Sequence, residues 1–160
     1  MSSFIATAAQ GTPNTAGNAA TLTNDGWFPD IDLDDLREAM RLDGTVTYER
    51  IRPSTLDAMG SINAELGTWQ AAQIAAGHAD LESVPAPQLG GVSTQVLRYR
   101  RAVYHLVRAD LTEQYRAYDS TKSGGLKAED LEHTIGESRR NARWAVNDIQ
   151  GLRRSTVELI

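Results

Sequence analysis

The sequence predicts an all-α protein: a small helical bundle of four to five helices with an extended N-terminal arm and a strand-like C-terminal tail. Apolar side chains recur at steps of three and four residues along its long stretches, which is the period of an α-helix. Clusters of glycine, proline and polar residues separate these stretches. The 160 residues, 41% hydrophobic and 23% charged, suit one globular domain.

The N-terminal arm is predicted from composition. Residues 1–26 are mainly Ala, Thr, Asn, Gly and Ser, with almost no charge. Such a segment cannot bury enough apolar surface to offset its ordering entropy, so we expect it to be flexible. The predicted organisation is therefore an arm over 1–26, a helical domain over 27–151 and a C-terminal tail over 152–160.

The first helix is predicted after Trp27-Phe28-Pro29, which should be extended because the residue before a proline avoids the helical region. Asp30 or Asp32 then caps a helix that runs through Leu33 to Leu42 and stops at Gly44. Acidic residues in its first turn suit the helix dipole.

The second helical stretch covers about Thr47 to Ala76, and Pro53 is expected to split it into a short turn and a longer helix. Its predicted apolar stripe is Leu56, Met59, Ile62, Leu66, Trp69 and Ile74. Gly60 and Gly67 inside the helix each cost about 1 kcal/mol relative to Ala. They either permit close packing of another chain or are simply tolerated.

The second half of the chain predicts a loop over 78–94, a long helix from about Ser93 to Tyr118, a linker over 119–125 and a last helix from about Lys127 to Gln150. The expected core positions are Val96, Tyr99, Val103, Val107, Leu111, Tyr115 and Tyr118, then Leu131, Ile135, Ala142, Val146 and Ile149. The tail over 155–160 alternates apolar and polar side chains and is β-prone, without an evident partner strand.

Nothing in the sequence predicts enzymatic chemistry, a metal or a cofactor. Cysteine is absent and the three histidines are far apart. Residues 119–130 loosely follow a calcium-loop pattern, but hydroxyls replace two carboxylates and Lys127 occupies a ligand position. Four aspartates at a helix start are typical of capping and surface charge.

The charge is unevenly distributed. The net charge is −8 over residues 1–90 and +3 over residues 91–160. Such asymmetry either pairs the acidic half of one copy with the basic half of the next or is an incidental sorting of solvated charges. A basic, aromatic cluster (Arg139, Arg140, Arg143 and Trp144) similarly indicates nucleic-acid contact, a salt-bridged face or a subunit interface.

Several short motifs in sequence order resemble the head completion proteins of the GpL type found in tailed bacteriophages. The resemblance spans about residues 27–160, and the order and spacing of its motifs are more specific than any one of them. The motifs are Trp27–Asp32, Arg37–Leu42, Asn63–Leu66, Gln73–Gly77, Val84–Ala86, Tyr99–Val103, Tyr115–Arg116, Arg143–Val146 and Ile149–Gly151.

The resemblance implies a structural virion protein that joins the neck after DNA packaging. Related adaptors form twelve-copy rings beneath the portal protein, stabilise the DNA-filled capsid and provide the docking surface for a downstream neck or tail-terminator protein. It also implies that DNA passes through the ring without sequence-specific binding. No cofactor, enzymatic activity or membrane is implied, and the location is the virion neck, with host cytoplasm during assembly.

Three sets of residues are candidates for these contacts. The portal-binding tail comprises Val157, Leu159 and Ile160. The N-terminal clasp comprises Phe4, Ile5, Trp27 and Phe28. The lateral subunit interface sets Asp30, Asp32, Asp34 and Asp35 against Arg139, Arg140 and Arg143. The alternative is a small helical regulatory or nucleic-acid-binding protein that uses the Arg139–Trp144 face.

Overall fold

The computed structural model describes residues 20–42, 46–118 and 125–153, without the side chains of 117–118 and 125–130. These residues form four helices and two antiparallel sheets of two strands each. In chain order the elements are β1 (Thr21–Leu22), β2 (Ile31–Asp32), α1 (Leu33–Met40), α2 (Tyr48–Ala75), β3 (Gln88–Leu89), β4 (Val92–Ser93), α3 (Thr94–Tyr118) and α4 (Gly125–Gln150). The helical prediction is confirmed; the described residues contain no fifth helix, and the two small sheets were not predicted.

Helix α3 forms the centre of the domain. Helix α4 packs antiparallel to it, as the pairs Arg101–Asn141 and Gln95–Ile149 show. Helix α2 and then α1 pack on its other sides. Nine of the predicted core positions of α3 and α4 are buried: Val96, Tyr99, Val103, Val107, Leu111, Ile135, Ala142, Val146 and Ile149. Tyr115 and Leu131 are only partly buried, and the side chain of Tyr118 lies outside the description.

Helix α4 ends at Gln150, where the sequence predicts its end. Gly151 takes a positive φ of 71°, a conformation that glycine adopts without steric cost. The N–H of Leu152 then donates to the carbonyl of Asn147 at 2.8 Å, which satisfies a carbonyl in the last turn.

The folded domain begins earlier than the predicted boundary at residue 27. Strand β1 pairs with β2, and Leu22 is only 2% exposed. The Leu33 N–H also donates to the Ala20 carbonyl at 2.7 Å. Residues 20–26, which were assigned to the arm, therefore belong to the fold, because backbone pairing and one buried leucine compensate for their polar composition. Residues 1–19 lie outside the description.

Helix α1 confirms the predicted cap. The Asp32 carboxylate accepts hydrogen bonds from the N–H groups of Asp34 and Asp35, at 2.8 and 3.1 Å. The helix ends at Arg41, which takes a left-handed φ of 51°. The expected stop, Gly44, lies outside the described residues.

Helix α2 corrects two predictions. It runs unbroken through Pro53, because Ile51, Ser54 and Thr55 are buried on both sides of the proline and the Thr55 hydroxyl donates to the Ile51 carbonyl at 2.7 Å. Leu56 and Ile74, expected in the core, are 46% and 52% exposed. The predicted Met59, Ile62 and Leu66 are buried, and the buried face continues through Ile51, Thr55 and Ala58, which were not predicted.

The segment expected to be a loop over 78–94 contains the β3–β4 hairpin. Gly90 and Gly91 form its two-residue turn with φ of 59° and 78°. Positive φ at both central residues is the requirement of a type I′ hairpin turn, which glycine pairs satisfy. Before the hairpin, Leu81 and Val84 are buried against the core.

Candidate functional site

The two aromatic rings assigned to the N-terminal clasp lie inside the domain. Phe28 stacks on Tyr99 with ring centroids 4.9 Å apart, and Trp27 meets Trp69 edge-on at 5.9 Å. The Trp27 indole N–H donates to the His78 carbonyl at 3.2 Å. At 7% and 3% exposure, Trp27 and Phe28 cannot clasp another protein in this fold, so that prediction is wrong for them. The other clasp residues, Phe4 and Ile5, lie outside the described residues.

A polar triad holds the N-terminal segment against α2 and α3. The Tyr99 hydroxyl donates to Asn63 Oδ1 at 2.6 Å and accepts from Asn24 Nδ2 at 2.8 Å. Asn63 Nδ2 closes the triangle by donating to Asn24 Oδ1 at 2.8 Å. Burial raises the pKa of the Tyr99 phenol well above its ordinary value, so it remains a donor.

All four candidate interface aspartates are exposed, and each accepts a hydrogen bond within the chain. Asp32 caps α1, and Asp30 accepts from the Asn24 N–H at 2.8 Å. Asp34 accepts from the Tyr48 hydroxyl and Asp35 from the Tyr104 hydroxyl. Burial, and then the hydrogen bond to Asp35, raises the pKa of Tyr104.

The three candidate interface arginines form a salt-bridged face. Arg139 pairs with Glu113 of α3 at 2.6 Å, and Arg143 pairs with Glu65 of α2. Arg139, Arg143 and Glu65 border an open cavity of about 320 Å³ between α2, α3 and α4. The Arg140 guanidinium lies 5.2 Å from the centre of the Trp144 ring. One of its nitrogens is 3.5 Å from a carboxylate oxygen of Glu137. Each arginine thus has a carboxylate partner, which weakens the positive potential that nucleic-acid phosphates require.

The acidic and basic sets are not brought together within the chain. In the part that the structure describes, no ion pair joins Asp30, Asp32, Asp34 or Asp35 to Arg139, Arg140 or Arg143. The arginine side chains are between 49% and 65% exposed. Both sets are therefore available at the surface for a contact between copies, although exposed ion pairs typically contribute only about 0–1 kcal/mol each.

Sequence reasoning missed one surface, the outward side of α2, where Leu56 and Ile74 are exposed. The signal was present as apolar and small residues all around this helix, but the expected stripe assigned them to the core. The portal-binding residues Val157, Leu159 and Ile160 lie outside the description.

The described residues offer no arrangement for metal binding or for a membrane. No three His, Asp or Glu side chains among them are grouped as metal ligands would be. None of the helices, over the same residues, has the length and apolar character required to cross a bilayer.

Comparison with known proteins gives a consistent result. The family model described as phage head completion protein (GPL) matches residues 22–160. A head completion/stabilization protein of Escherichia phage P2 is 41% identical over 148 residues, covering 92% of this chain and 88% of that protein. No solved structure matches. The family match begins at Leu22, which agrees with the burial of this residue in the fold.

Proposed function

Because the chain belongs to the phage head completion protein (GPL) family, we propose that it completes the DNA-filled head as an adaptor that forms a ring beneath the portal. The family has a structural role in the virion, and it is not an enzyme family. The adaptor acts by binding: it stabilises the filled capsid and presents a docking surface to the next neck or tail protein. Family membership is the single observation that carries this proposal.

The proposed partners are the portal protein, neighbouring copies in a twelve-copy ring and a downstream neck or tail-terminator protein. Assembly takes place in the host cytoplasm. The net charge of −5 supports a ring whose channel lets DNA slide, because phosphate binding needs excess positive charge. Packaged DNA then passes without sequence-specific contact.

The proposed contacts use three parts of the chain. Val157, Leu159 and Ile160 insert into the portal, and Phe4 and Ile5 clasp a neighbouring protein. Between copies, the aspartates of β2 and α1 face the arginines of α4. The exposure of both charged sets supports this lateral contact, and opposite charge favours correct register during assembly.

Deletion of the last six residues tests the portal contact. The shortened chain is expected to keep its helical circular dichroism and melting temperature but to lose co-sedimentation with portal rings of the same phage. The double variant Val157→Asp, Ile160→Asp should behave in the same way, whereas the matched control Glu158→Gln should still bind. Normal portal binding by the shortened chain would contradict the proposed role of the tail.

A further inference from the structure

An open cavity of about 500 Å³ lies between residues 23–30, the loop over 80–82 and the start of α3. We call it the Trp27 cavity. Its apolar lining comes from side chains of the core, namely Trp27, Phe28, Leu81 and Val96. Binding sites in proteins are typically apolar cavities of about 300–1,000 Å³ with a few polar groups. The Trp27 cavity is therefore large enough to hold several side chains of a peptide.

Four charged side chains also line the Trp27 cavity: Asp30, Asp80, Glu82 and Arg100. None of the four forms an ion pair with any residue that the structure describes. The carboxylates of Asp30 and Asp80 each accept a backbone N–H, which leaves their charge uncompensated. The cavity thus presents three carboxylates and one guanidinium, a net charge of −2, to a ligand.

The C-terminal tail over 152–160 carries the complementary groups. Arg153–Arg154 come first, and the aliphatic side chains of Val157–Ile160 follow with Glu158 among them. The two arginines match the carboxylates of the cavity, Glu158 matches Arg100, and the aliphatic groups match the apolar lining. Residues 1–19, at the other end of the chain, contain no charged side chain. Charge therefore favours the tail over the arm as the occupant.

The tail leaves the helical bundle close to the Trp27 cavity. Gln95 Nε2 donates to the Ile149 carbonyl at 3.4 Å, and Gln95 directly precedes Val96 of the cavity. Arg153, the last described residue, is exposed. The seven residues after it span up to about 25 Å when extended. Because a helix is only about 10–12 Å across, this length carries the tail from the end of α4 past the start of α3 to the cavity.

We propose that the Trp27 cavity binds the C-terminal tail of the same chain until the portal is reached. Arg153–Arg154 then pair with Asp80 and Glu82, and the aliphatic side chains of 157–160 pack on the apolar lining. The portal competes for the same aliphatic groups and draws the tail out, which also uncovers Asp30 for the proposed contact between copies. This inference rests on the proposed function and adds a state of the free chain in which the portal-binding residues are covered.

Cross-linking of the free chain tests this contact directly, because the sequence contains no cysteine. The double variant Thr23→Cys, Thr156→Cys places one thiol at the cavity and one in the tail. A short bismaleimide should link the two thiols at a yield that does not change on dilution. The control pair Glu49→Cys, Thr156→Cys should give no such link. Its first thiol lies at the start of α2, near Tyr115 and so at the other end of α3 from Gln95.

A mixture of isotope-labelled and unlabelled chains identifies the occupant. Mass spectrometry of the linked peptides should find both peptides with the same labelling, as a contact within one chain requires. Links between a labelled and an unlabelled peptide would assign the tail of a second copy and overturn the inference. Absence of any link in the double variant would leave the cavity to another occupant, such as the arm, and would also overturn it.

A charge substitution gives an independent readout. Glu82→Lys replaces an attractive partner of the tail arginines with a repulsive one, so the yield of the link should fall about two- to fivefold, the range of a single exposed ion pair. Glu38→Lys makes the same change on α1, outside the cavity, and should leave the yield unchanged. Arg153→Glu combined with Glu82→Lys should restore the link. Full yield from Glu82→Lys alone would overturn the proposal.

Portal rings, added to the same samples, separate this inference from the proposed function. Bound portal should lower the yield of the link, and Glu82→Lys should bind the portal more tightly because less of the tail is held back. A link in the free chain without portal binding supports the cavity contact and contradicts the portal partner. Portal binding by a chain that shows no link overturns the cavity contact and leaves the adaptor role. Failure of both overturns both.

Discussion

At the residue scale, the Asn24–Asn63–Tyr99 triad is the polar contact that fixes the N-terminal segment on the bundle. Tyr99→Phe removes the donor to Asn63 Oδ1 and one of the two acceptors of Asn24 Nδ2, which keeps only the Pro29 carbonyl. We expect the free energy of unfolding to fall by about 1–3 kcal/mol, measured by urea denaturation. Tyr48→Phe, which removes only an exposed hydroxyl contact to Asp34, should cost less than this. Equal losses would contradict the assigned role of the triad.

His105 makes stability depend on pH. Burial, and then the charges of Arg101 and Arg108, lower the pKa of its imidazole below the ordinary 6.5, and its Nδ1 is buried without a partner. The unfolded chain therefore binds the proton more readily. The contribution of neutral His105 to the free energy of unfolding is complete above pH 6.5. It declines as the pH falls toward the lowered pKa that His105 has in the folded state.

His105→Gln should accordingly flatten the pH dependence of unfolding in that interval. The parent chain, measured under the same conditions, is the reference. Denaturant melts at successive pH values measure the difference. If the free energy of unfolding of the His105 variant changed with pH as steeply as that of the parent chain, burial would not hinder protonation of this imidazole.

At the element scale, the start of α1 depends on one carboxylate. Asp32→Ala leaves the N–H groups of Asp34 and Asp35 without their acceptor and should lower the free energy of unfolding by about 1 kcal/mol. Asp32→Asn keeps an acceptor and should retain most of the stability. Because the cap functions in the single chain, the loss should appear without any partner protein. If the alanine variant were as stable as the parent, the cap would contribute nothing.

The elements differ in how far the sequence could predict them. Helices α3 and α4 followed directly from their apolar period, since each buries one side. Two predictions for helix α2 were wrong. Small and apolar residues occur on all its sides, so the sequence did not show which side is buried. The rule that proline breaks a helix takes no account of the buried contacts of Ile51 and Thr55. The β3–β4 turn carried a glycine-pair signal, but strands of two residues are too short to show alternation.

The candidate site was less predictable than the fold. Composition identified Trp27 and Phe28 as bulky groups next to a polar segment, but only the tertiary structure shows that Tyr99 and Trp69 cover them. Likewise, the charges of the aspartates and arginines were evident in the sequence. Their partners Tyr104, Glu113 and Glu65 lie far along the chain, and local patterns do not report such contacts.

At the scale of the whole molecule, ring contacts join the N-terminal segment to the helices: Trp27 packs on Trp69 of α2, and Phe28 packs on Tyr99 of α3. Trp27→Ala should lower the free energy of unfolding by about 3–5 kcal/mol, because a large buried ring leaves a cavity. Phe4→Ala should instead weaken portal binding at unchanged stability, as the clasp proposal requires. Thermal melts and portal co-sedimentation distinguish the two. A stable Trp27 variant with defective portal binding would return Trp27 to the clasp.

The central claim is that this chain completes the phage head as an adaptor on the portal. Size-exclusion chromatography with light scattering, of the full chain alone and mixed with portal rings of the same phage, tests it most directly. The account predicts a co-eluting complex with about one copy per portal subunit, as the proposed twelve-copy ring beneath the portal would give. An intact portal that elutes without the chain, together with salt-sensitive binding of the chain to DNA, would contradict it.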